Sequence, residues 1–335
     1  MGDRSKIEWT DRTDNPIRAR NLETGNIGHF CEKITPGCAH CYAERRQPRF
    51  KNPIRFEPQF RGKVELILDR ELLRKIPHRR KPCKIFPCDM TDMFGPWVPD
   101  DWLDEIMAAY ACLDRQFAVQ FLTKRADRML AYFSSPDRMK RIAVAGLTLG
   151  VPSFRTDQWP LPHFWLGVSP NNQKSADTLI PLLLQTPAAV RFVSEEPSLG
   201  QIKRLPYLET GLLHWWIWGG ESGPGARPSH PDNARAARDE CQAAGVPFLF
   251  KQRGEWTWDG DGEAQALICN RGTFRDFKRP LKQKDWTETQ HAHQGHGDCK
   301  PYALGRLGKK RAGRLLDGRE WNEFPASVQK LDGIR

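Results

Sequence analysis

The 335-residue sequence lacks any run of about 18 or more apolar residues, and this absence excludes a transmembrane helix. Its first residues lead straight into polar and acidic side chains without the apolar core of a secretion signal, so we expect a cytoplasmic protein without a membrane partner. The nine cysteines are an odd number in such a chain, and this argues against a disulfide framework.

Acidic residues are in the minority: 52 lysines and arginines against 41 aspartates and glutamates give a formal net charge of +11. A basic excess favours polyanionic partners such as nucleic acid or nucleotides. Residues 270–335 carry fifteen basic and eight acidic side chains, and they form a basic C-terminal region. A solvated basic surface explains the same charge equally well, so charge alone leaves both interpretations open.

Short apolar segments alternate with amphipathic segments along most of the chain. This alternation is typical of a mainly parallel α/β sheet whose strands are buried on both faces. The predicted strands are Lys84–Phe86, Phe117–Leu122, Phe164–Val168, Val190–Val193, Leu213–Trp218 and Pro247–Phe250. The predicted helices are Tyr42–Arg49, Asp100–Leu113, Ala126–Phe133, Gln173–Leu184 and Asp232–Ala244, the last with Asp232 as its cap and Gly245 as its end.

Six or seven successive βα units favour a sheet that closes on itself. We therefore predict a partial or full triosephosphate-isomerase-type (β/α) barrel over residues 1–252. Residues 253–335 are predicted to form a basic C-terminal extension packed on that barrel. Functional side chains of such folds gather at the carboxyl ends of the strands.

Three of the nine cysteines, Cys31, Cys38 and Cys41, lie within eleven residues of each other. The two-residue gap between Cys38 and Cys41 lets two thiolates reach one metal centre, and the turn predicted at Pro36 and Gly37 brings Cys31 toward them. Three thiolates leave one iron of a [4Fe-4S] cluster without a cysteine ligand. Such an iron can bind S-adenosyl-L-methionine through its amine and carboxylate, which is how radical S-adenosylmethionine chemistry begins.

Zinc is the main alternative for these cysteines, with a fourth ligand supplied by Cys83, Cys88 or His40. Structural thiols without a metal are a further alternative, although the dense spacing argues against it. A second stretch could also bind a metal, but its glycines favour a flexible loop. Its candidate ligands are His291, His293, His296 and Cys299.

Polar side chains follow the first predicted strands. Asp89 and Asp92 come after the first of them, Lys124 after the second, and Ser169 and Asn171 after the third. Lys124 suits a carboxylate or a phosphate, whereas Ser169 and Asn171 suit ribose hydroxyls. For each residue alone, helix capping or a salt bridge is an equally good explanation. As a set, they favour a cofactor site.

The later strands end in a similar way. Glu195 ends the fourth predicted strand, and Gly219 and Gly220 follow the fifth. Glycines allow close approach of the backbone to a ligand, and Glu221 can accept a hydrogen bond from an ammonium group or a ribose hydroxyl. These four residues are therefore predicted to contact the cofactor. The alternative is a tight turn whose acid caps the next helix.

Nine motifs spread nearly from end to end carry a family resemblance: Lys6–Asp11, Asn15–Pro16, Pro36–Glu44, Leu122–Arg125, Trp165–Ser169, Arg191–Ser194, Gly219–Pro224, Phe250–Gln252 and Leu315–Gly318. They resemble a phage and prophage family labelled gene product thirty-seven / gene product sixty-eight, a domain of unknown function related to radical S-adenosylmethionine proteins. The resemblance implies a radical-S-adenosylmethionine-like barrel with a three-cysteine cluster, and it supplies no substrate. Radical enzymes usually carry an aromatic residue before the last cysteine. Here His40 stands there, and we expect Tyr42 to take over part of that role.

These features predict a radical S-adenosylmethionine enzyme that holds a [4Fe-4S] cluster on three cysteines and receives electrons from a donor. The basic charge and the phage-type resemblance favour a nucleic acid or nucleotide substrate that is modified or repaired. The alternative function is a non-catalytic zinc or iron–sulfur phage protein that binds nucleic acid or a phage-encoded partner protein.

Overall fold

The computed structural model describes residues 5–154, 157–258, 264–269, 274–285 and 301–326. The chain divides into two compact units, one drawn from residues 1–169, 179–192 and 325–335, the other from residues 170–178 and 193–324. The predicted domain boundary between residues 252 and 253 stays a prediction. Among the described helices, none combines the length and the apolar character needed to cross a membrane. The second predicted metal stretch, His291, His293, His296 and Cys299, lies outside the described residues.

The strands form three sheets. They are β1 (Arg12–Asp14), β2 (Ile17–Asn21), β3 (Ile27–Gly28), β4 (Val64–Leu68), β5 (Lys84–Pro87), β6 (Ala118–Thr123), β7 (Phe164–Val168), β8 (Val190–Glu195), β9 (Trp215–Gly219), β10 (Phe248–Gln252), β11 (Trp256–Thr257), β12 (Ala266–Cys269), β13 (Phe274–Asp276) and β14 (Pro301–Arg306). The main sheet has the order β1-β5-β6-β7-β8-β9-β10, and the smaller sheets have the orders β3-β2-β4 and β11-β14-β12-β13.

The main sheet is built like part of a (β/α) barrel. Its strands follow one another in chain order after β1. Parallel pairing joins β1 to β5, β5 to β6, β6 to β7 and β9 to β10. In β7 and β9 every residue is buried, as expected for strands covered on both faces. The predicted α/β class with a partial barrel arrangement is therefore confirmed.

The helices lie between these strands. They are α1 (Tyr42–Arg46), α2 (Arg70–Lys75), α3 (Asp100–Ala111), α4 (Ala126–Phe133), α5 (Arg138–Leu149), α6 (Gln173–Gln185), α7 (Leu205–Leu208), α8 (Pro231–Ala243) and α9 (Lys309–Ala312). Tighter 3₁₀ turns cover Pro36–Cys38, Gln47–Phe50, Pro58–Lys63 and Ile76–His78. The first predicted helix therefore ends at Arg46 and continues as a 3₁₀ turn, because Pro48 has no N–H to donate.

The cap predicted for α8 is wrong by two residues. His230 is the cap, because its Nδ1 accepts the N–H of Asp232 at 3.1 Å. Asp232 itself lies inside the first turn, where an acid still favours the positive helix end. Gly245 ends the helix as predicted, and its φ of +66° is the left-handed conformation that glycine adopts without strain.

Aromatic packing holds β7 in place within the first unit. A side chain at Gly167 would bring its Cβ to 2.5 Å from the ring of Phe192, so the glycine makes room for that ring. Phe192 also contacts Trp9, with 6.1 Å between ring centroids. Burying such a side chain contributes about 1.5 to 3 kcal/mol. The strand that carries Ser169 at its end thus has a fixed position.

Seven cysteines in the described part of the chain are free thiols. Cys269, at the end of β12, is disulfide-bonded.

Candidate metal centre and strand-end site

The three clustered cysteines lie on the loop that leads from β3 into α1. The predicted turn is present as the 3₁₀ turn Pro36–Cys38, in which the N–H of Cys38 donates to the carbonyl of Thr35 at 2.9 Å. The N–H of Cys41 donates to the carbonyl of Cys38 at 3.3 Å. The carbonyl of Cys41 then accepts the N–H of Arg45 at 3.2 Å, so α1 starts directly on the last cysteine.

The loop brings the three cysteines into one neighbourhood. All three are partly buried free thiols. Electrostatic effects act between Cys31 and Cys41, and between Cys41 and Cys38. Cys31 and Cys41 also pack against one apolar cluster, which consists of Ala43, Phe56 and Met90.

The three thiols differ in acidity. Burial raises the pKa of Cys31 to about 12, with a smaller contribution from the charge of Asp92. Burial raises the pKa of Cys41 as well. At Cys38 burial acts in the same direction, but it is outweighed by the ammonium group of Lys124, the hydroxyl of Thr35, 3.5 Å from Sγ, and hydrogen bonds from the backbone of Ile34 and Thr35, which together lower the pKa. Cys31 and Cys41 therefore need a bound cation to ionise at neutral pH.

The three cysteine thiols are ligands of the chemical type that both iron–sulfur clusters and zinc ions bind. Among residues 5–154, 157–258, 264–269, 274–285 and 301–326, no group of three or more His, Cys, Asp or Glu side chains is close enough to hold a metal ion. A cysteine Sγ moves between staggered χ1 positions without any change in the backbone. Three thiols on one loop supply the ligands of a cluster with one open iron, whereas zinc needs a fourth ligand.

The candidate fourth zinc ligands on β5 lie at opposite ends of that strand. Cys83 precedes β5, where its thiol lies near Asp11 and Arg79. Cys88 follows β5, where burial and the charges of Asp89 and Asp92 raise the pKa of its thiol. Only Cys88 therefore shares the carboxyl end of the strand with Asp92.

Arg125 ties the cysteine loop to the end of β6. Its Nη2 donates to the carbonyl of Glu32 at 3.1 Å, and its Nη1 is 3.1 Å from Oδ2 of Asp92. Its guanidinium lies over the ring of Trp97 at 4.5 Å. The carboxylate of Asp92 in turn accepts the hydroxyl of Thr123 at 2.7 Å. The residue next to Cys31 is thus held by a buried charge network.

Two further ion pairs fix the same loop. Nη2 of Arg61 lies 2.6 Å from Oε1 of Glu32. Nζ of Lys33 lies 2.6 Å from Oε2 of Glu44, whose Oε1 accepts the N–H of Phe56 at 2.8 Å. Both ends of the cysteine segment are therefore attached to the chain that follows α1.

Lys124 and Ser169 meet beside Cys38. Nζ of Lys124 donates to the hydroxyl oxygen of Ser169 at 2.6 Å and to its carbonyl at 2.7 Å. The same ammonium group lowers the pKa of Cys38. Two predicted cofactor residues and one predicted metal ligand are thus brought together, at the adjacent ends of β6 and β7.

Tyr42 reaches from α1 to the end of β5. Its hydroxyl donates to the backbone carbonyl of Asp89 and lies 3.2 Å from Oδ2 of that residue. Nδ2 of Asn15 donates to Oδ1 of Asp89 at 2.6 Å. Burial raises the pKa of Asp89, while these hydrogen bonds act in the opposite direction. Tyr42 therefore positions the helix that follows the cysteines.

Glu195, a predicted cofactor contact, lies in a fully buried ion pair of the second unit. Nη2 of Arg204 is 2.8 Å from Oε2 and 2.9 Å from Oε1 of Glu195. Ser198 donates to Oε1 at 2.7 Å, and Nε1 of Trp216 donates to Oε2 at 3.1 Å. A cofactor at Glu195 would have to replace one of these bonds.

Asn171 and Gly219 both contact the turn that leads from Glu196 to Ser198. Nδ2 of Asn171 donates to the carbonyls of Glu196 and Pro197 at 3.3 and 3.2 Å. A Cβ at Gly219 would lie 3.3 Å from the side chain of Glu196. Both residues therefore have close protein neighbours, and their predicted cofactor contacts stay predictions.

Gly220 is explained by a close backbone approach within the protein. A Cβ at Gly220 would lie 2.0 Å from the carbonyl oxygen of Arg253, and a Cβ at Gly254 would lie 2.2 Å from the carbonyl oxygen of Glu221. The side chain of Glu221 pairs with Arg227, with 2.5 Å between Oε1 and Nη2. The backbone at Gly220 thus lies close to the carbonyl group of Arg253, whereas the sequence predicts a close approach to a ligand.

Comparison with protein families gives a match over residues 4–325 to a family described as a protein of unknown function, DUF5131. The chain belongs to the DUF5131 family. No curated protein and no solved structure matches it.

Several residues that organise this DUF5131 site were not predicted from the sequence. Glu32, Lys33, Glu44 and Arg61 hold the cysteine loop, yet their partners lie 11 to 29 residues away in the chain. Such pairs follow no helical or strand period. The available signal was their position beside the cysteines, since a charged residue next to a metal-binding loop commonly has an orienting role.

Proposed function

We propose that this DUF5131 protein is a radical S-adenosylmethionine enzyme in which Cys31, Cys38 and Cys41 hold a [4Fe-4S] cluster. The observation that carries the proposal is the meeting of Cys38, one of these cysteines, with Lys124 and Ser169 at the carboxyl ends of adjacent parallel strands. When bound, the cluster would supply the electron for reductive cleavage of S-adenosyl-L-methionine.

The protein's own residues would bind and orient the cofactor. The ammonium group of Lys124 lies near Cys38 and has two neutral acceptors on Ser169, so it can bind a carboxylate at this position. Once Lys124 binds that carboxylate, the hydroxyl of Ser169 would be able to form a hydrogen bond with a ribose hydroxyl. Arg125 keeps the loop in place through Glu32 and Asp92.

The fold type, the substrate class and the biological context of the proposal rest on the sequence analysis. We assign the partial barrel to the radical S-adenosylmethionine type and expect a nucleic acid or nucleotide to be modified or repaired in the cytoplasm. A phage or prophage context and a separate electron donor belong to the same proposal. The motif resemblance and the net charge of +11 support it.

Anaerobic purification with iron, sulfide and zinc measured together tests the metal. We expect about four irons and four sulfides per chain, as a [4Fe-4S] cluster requires. Serine substitution of Cys31, Cys38 and Cys41 should abolish both, whereas Cys112→Ser, at a free thiol on α3's C-terminal side, should leave them unchanged. One zinc per chain without sulfide would contradict the proposal and favour the zinc-binding alternative.

Reductive turnover tests the chemistry. Reconstituted protein given dithionite and S-adenosyl-L-methionine should release 5′-deoxyadenosine and methionine, both measured by mass spectrometry. Lys124→Met should reduce that release while the iron content stays at the wild-type value. A reconstituted cluster that never yields either product would overturn the enzymatic assignment.

A further inference from the structure

A strongly basic segment follows the last cysteine. Residues 45–51, which we call the basic ridge, carry Arg45, Arg46, Arg49 and Lys51 and no acidic residue. All four side chains are exposed. The ridge comprises the end of α1 and the 3₁₀ turn Gln47–Phe50, so it is about 10 Å long, the axial length of roughly three nucleotides of one strand.

The two acids that flank the ridge in the sequence face other bases. Glu44, directly before it, is bound by Lys33 at 2.6 Å. Glu57, the next acid along the chain, lies 2.8 Å from Nη2 of Arg55. These two acids are thus bound elsewhere, whereas Asp89 lies near Arg46, so Arg49 and Lys51 are the ridge charges on which the test below is placed.

Exposed aromatic rings accompany these charges. In the described part of the chain three aromatic side chains are exposed, and two of them lie here: Tyr42 at 39% and Phe50 at 37%, the third being Phe274. Arg46 lies over the ring of Tyr42 at 5.5 Å. A solvated charged surface has no need of exposed rings, whereas arginines beside aromatic faces are typical of surfaces that stack nucleic-acid bases.

The ridge is also connected to the candidate metal centre. The N–H of Arg45 donates to the carbonyl of Cys41 at 3.2 Å, so one helical turn separates a candidate ligand from the first basic side chain. A polyanion bound along the ridge would lie beside the cysteine loop.

We propose that the basic ridge binds single-stranded nucleic acid, with phosphates on its arginines and lysine and a base stacked on Phe50. The inference rests on the proposed function and names its substrate class. A single strand is favoured over a duplex because stacking needs an unpaired base face, and because chemistry on a base requires that the base leave the helical stack. This surface lies outside the basic C-terminal region, residues 270–335.

The charge contribution is tested by fluorescence anisotropy with a labelled oligothymidine strand at several KCl concentrations. The variant is Arg49→Gln with Lys51→Asn, since asparagine tolerates the φ of 52° found at Lys51. Losing two phosphate contacts should reduce the slope of log K against log salt by about 1.4 and weaken binding about tenfold or more at moderate salt. The matched control, Lys75→Gln with Lys140→Gln, removes two exposed charges from α2 and α5 and should leave the slope unchanged.

The stacking contribution is tested with Phe50→Leu. Leucine keeps an apolar contact with His29, whose ring centroid is 5.3 Å from that of Phe50, but it has no aromatic face. Binding of oligothymidine should weaken about fivefold or more, while the salt slope stays the same. Competition by a duplex of the same length or by polyglutamate should be much weaker than competition by unlabelled single strand.

Three results would overturn the inference: ridge variants that bind like the control, Phe50→Leu binding like wild type, or polyglutamate or duplex competing as well as the single strand. Thermal unfolding of each variant excludes misfolding as the cause of weak binding. Iron and sulfide are measured on the same samples. If the wild-type protein holds the cluster but the ridge variants bind the oligonucleotide normally, only the inference about the ridge is refuted. If binding depends on the ridge but the protein contains no iron, only the proposed function is refuted.

Discussion

Replacing Arg204 by methionine removes the partner of a buried carboxylate and tests whether Glu195 has a structural role. Both side chains have 0% exposure, and the pair is joined by bonds of 2.8 to 3.0 Å. Removing one partner of a buried pair costs about 3 to 5 kcal/mol, because the other charge is left without compensation. The remaining bonds from Ser198 and Trp216 favour the middle of that range, about 4 kcal/mol.

The pH dependence of this variant has a definite sign. Burial raises the pKa of Glu195 even though Arg204 acts against it, so removal of Arg204 raises the pKa further. A carboxyl group whose pKa is higher in the folded state binds its proton preferentially when folded. The stability of Arg204→Met should therefore be greatest at acidic pH, near the unfolded pKa of about 4.3, and should be lost as the pH rises through the folded pKa.

Urea unfolding at pH 5 and pH 8, followed by tryptophan fluorescence, measures both effects. Glu195→Gln combined with Arg204→Met should recover most of the lost free energy, since no uncompensated charge stays buried. Arg235→Met breaks two partly exposed ion pairs, with Asp232 and Asp317, and should cost less than about 1 kcal/mol for each pair. The reasoning fails if Arg204→Met costs no more than Arg235→Met, or if its deficit is the same at both pH values.

Three further outcomes are expected. Gly220→Ala should strongly lower the melting temperature, because the new Cβ would lie 2.0 Å from a carbonyl oxygen. Gly62→Ala is the control and should have little effect, because no atom lies within 4 Å of its new Cβ. Equal effects of the two substitutions would refute the close approach at Gly220. Arg125→Met should increase the rate of amide hydrogen exchange in residues 31–41 by about tenfold or more. The reason is the loss of the hydrogen bond from the Arg125 guanidinium to the carbonyl of Glu32, since a charged hydrogen bond is worth about 1.5 to 3 kcal/mol. Unchanged exchange would show that other contacts hold the loop. In metal-free protein, iodoacetamide at pH 7 should label Cys38 before Cys31, because the pKa of Cys38 is lowered and that of Cys31 is raised to about 12; peptide mass spectrometry showing the reverse order would contradict this.

The elements with strong local patterns were predictable from the sequence. The predicted helix Ala126–Phe133 and strand Phe164–Val168 match the structure residue for residue, and the other predicted strands end within two residues of their observed limits. The short strand Ile17–Asn21 was not predicted, although the alternation of Ile17 and Ala19 with Arg18 and Arg20 is typical of a half-buried strand. Its place depends on pairing with Val64–Leu68, more than forty residues away, which no local pattern records.

The candidate site was predictable only in its chemistry. Cysteine spacing indicated the three thiols, and strand ends indicated Lys124 and Ser169, which the structure brings together. The sequence could not show that Glu195 is enclosed by Arg204, because charged side chains occur both at binding sites and in structural pairs. Contacts between distant residues decide that difference.

The mutual approach of Gly220 and Gly254 limits how this family can vary. Each glycine lies against the backbone of the other turn, so a methyl group at either position would push the two turns apart. Neither turn can change its shape without a matching change in the other. Across DUF5131 proteins we therefore expect the two glycines to be kept or lost as a pair.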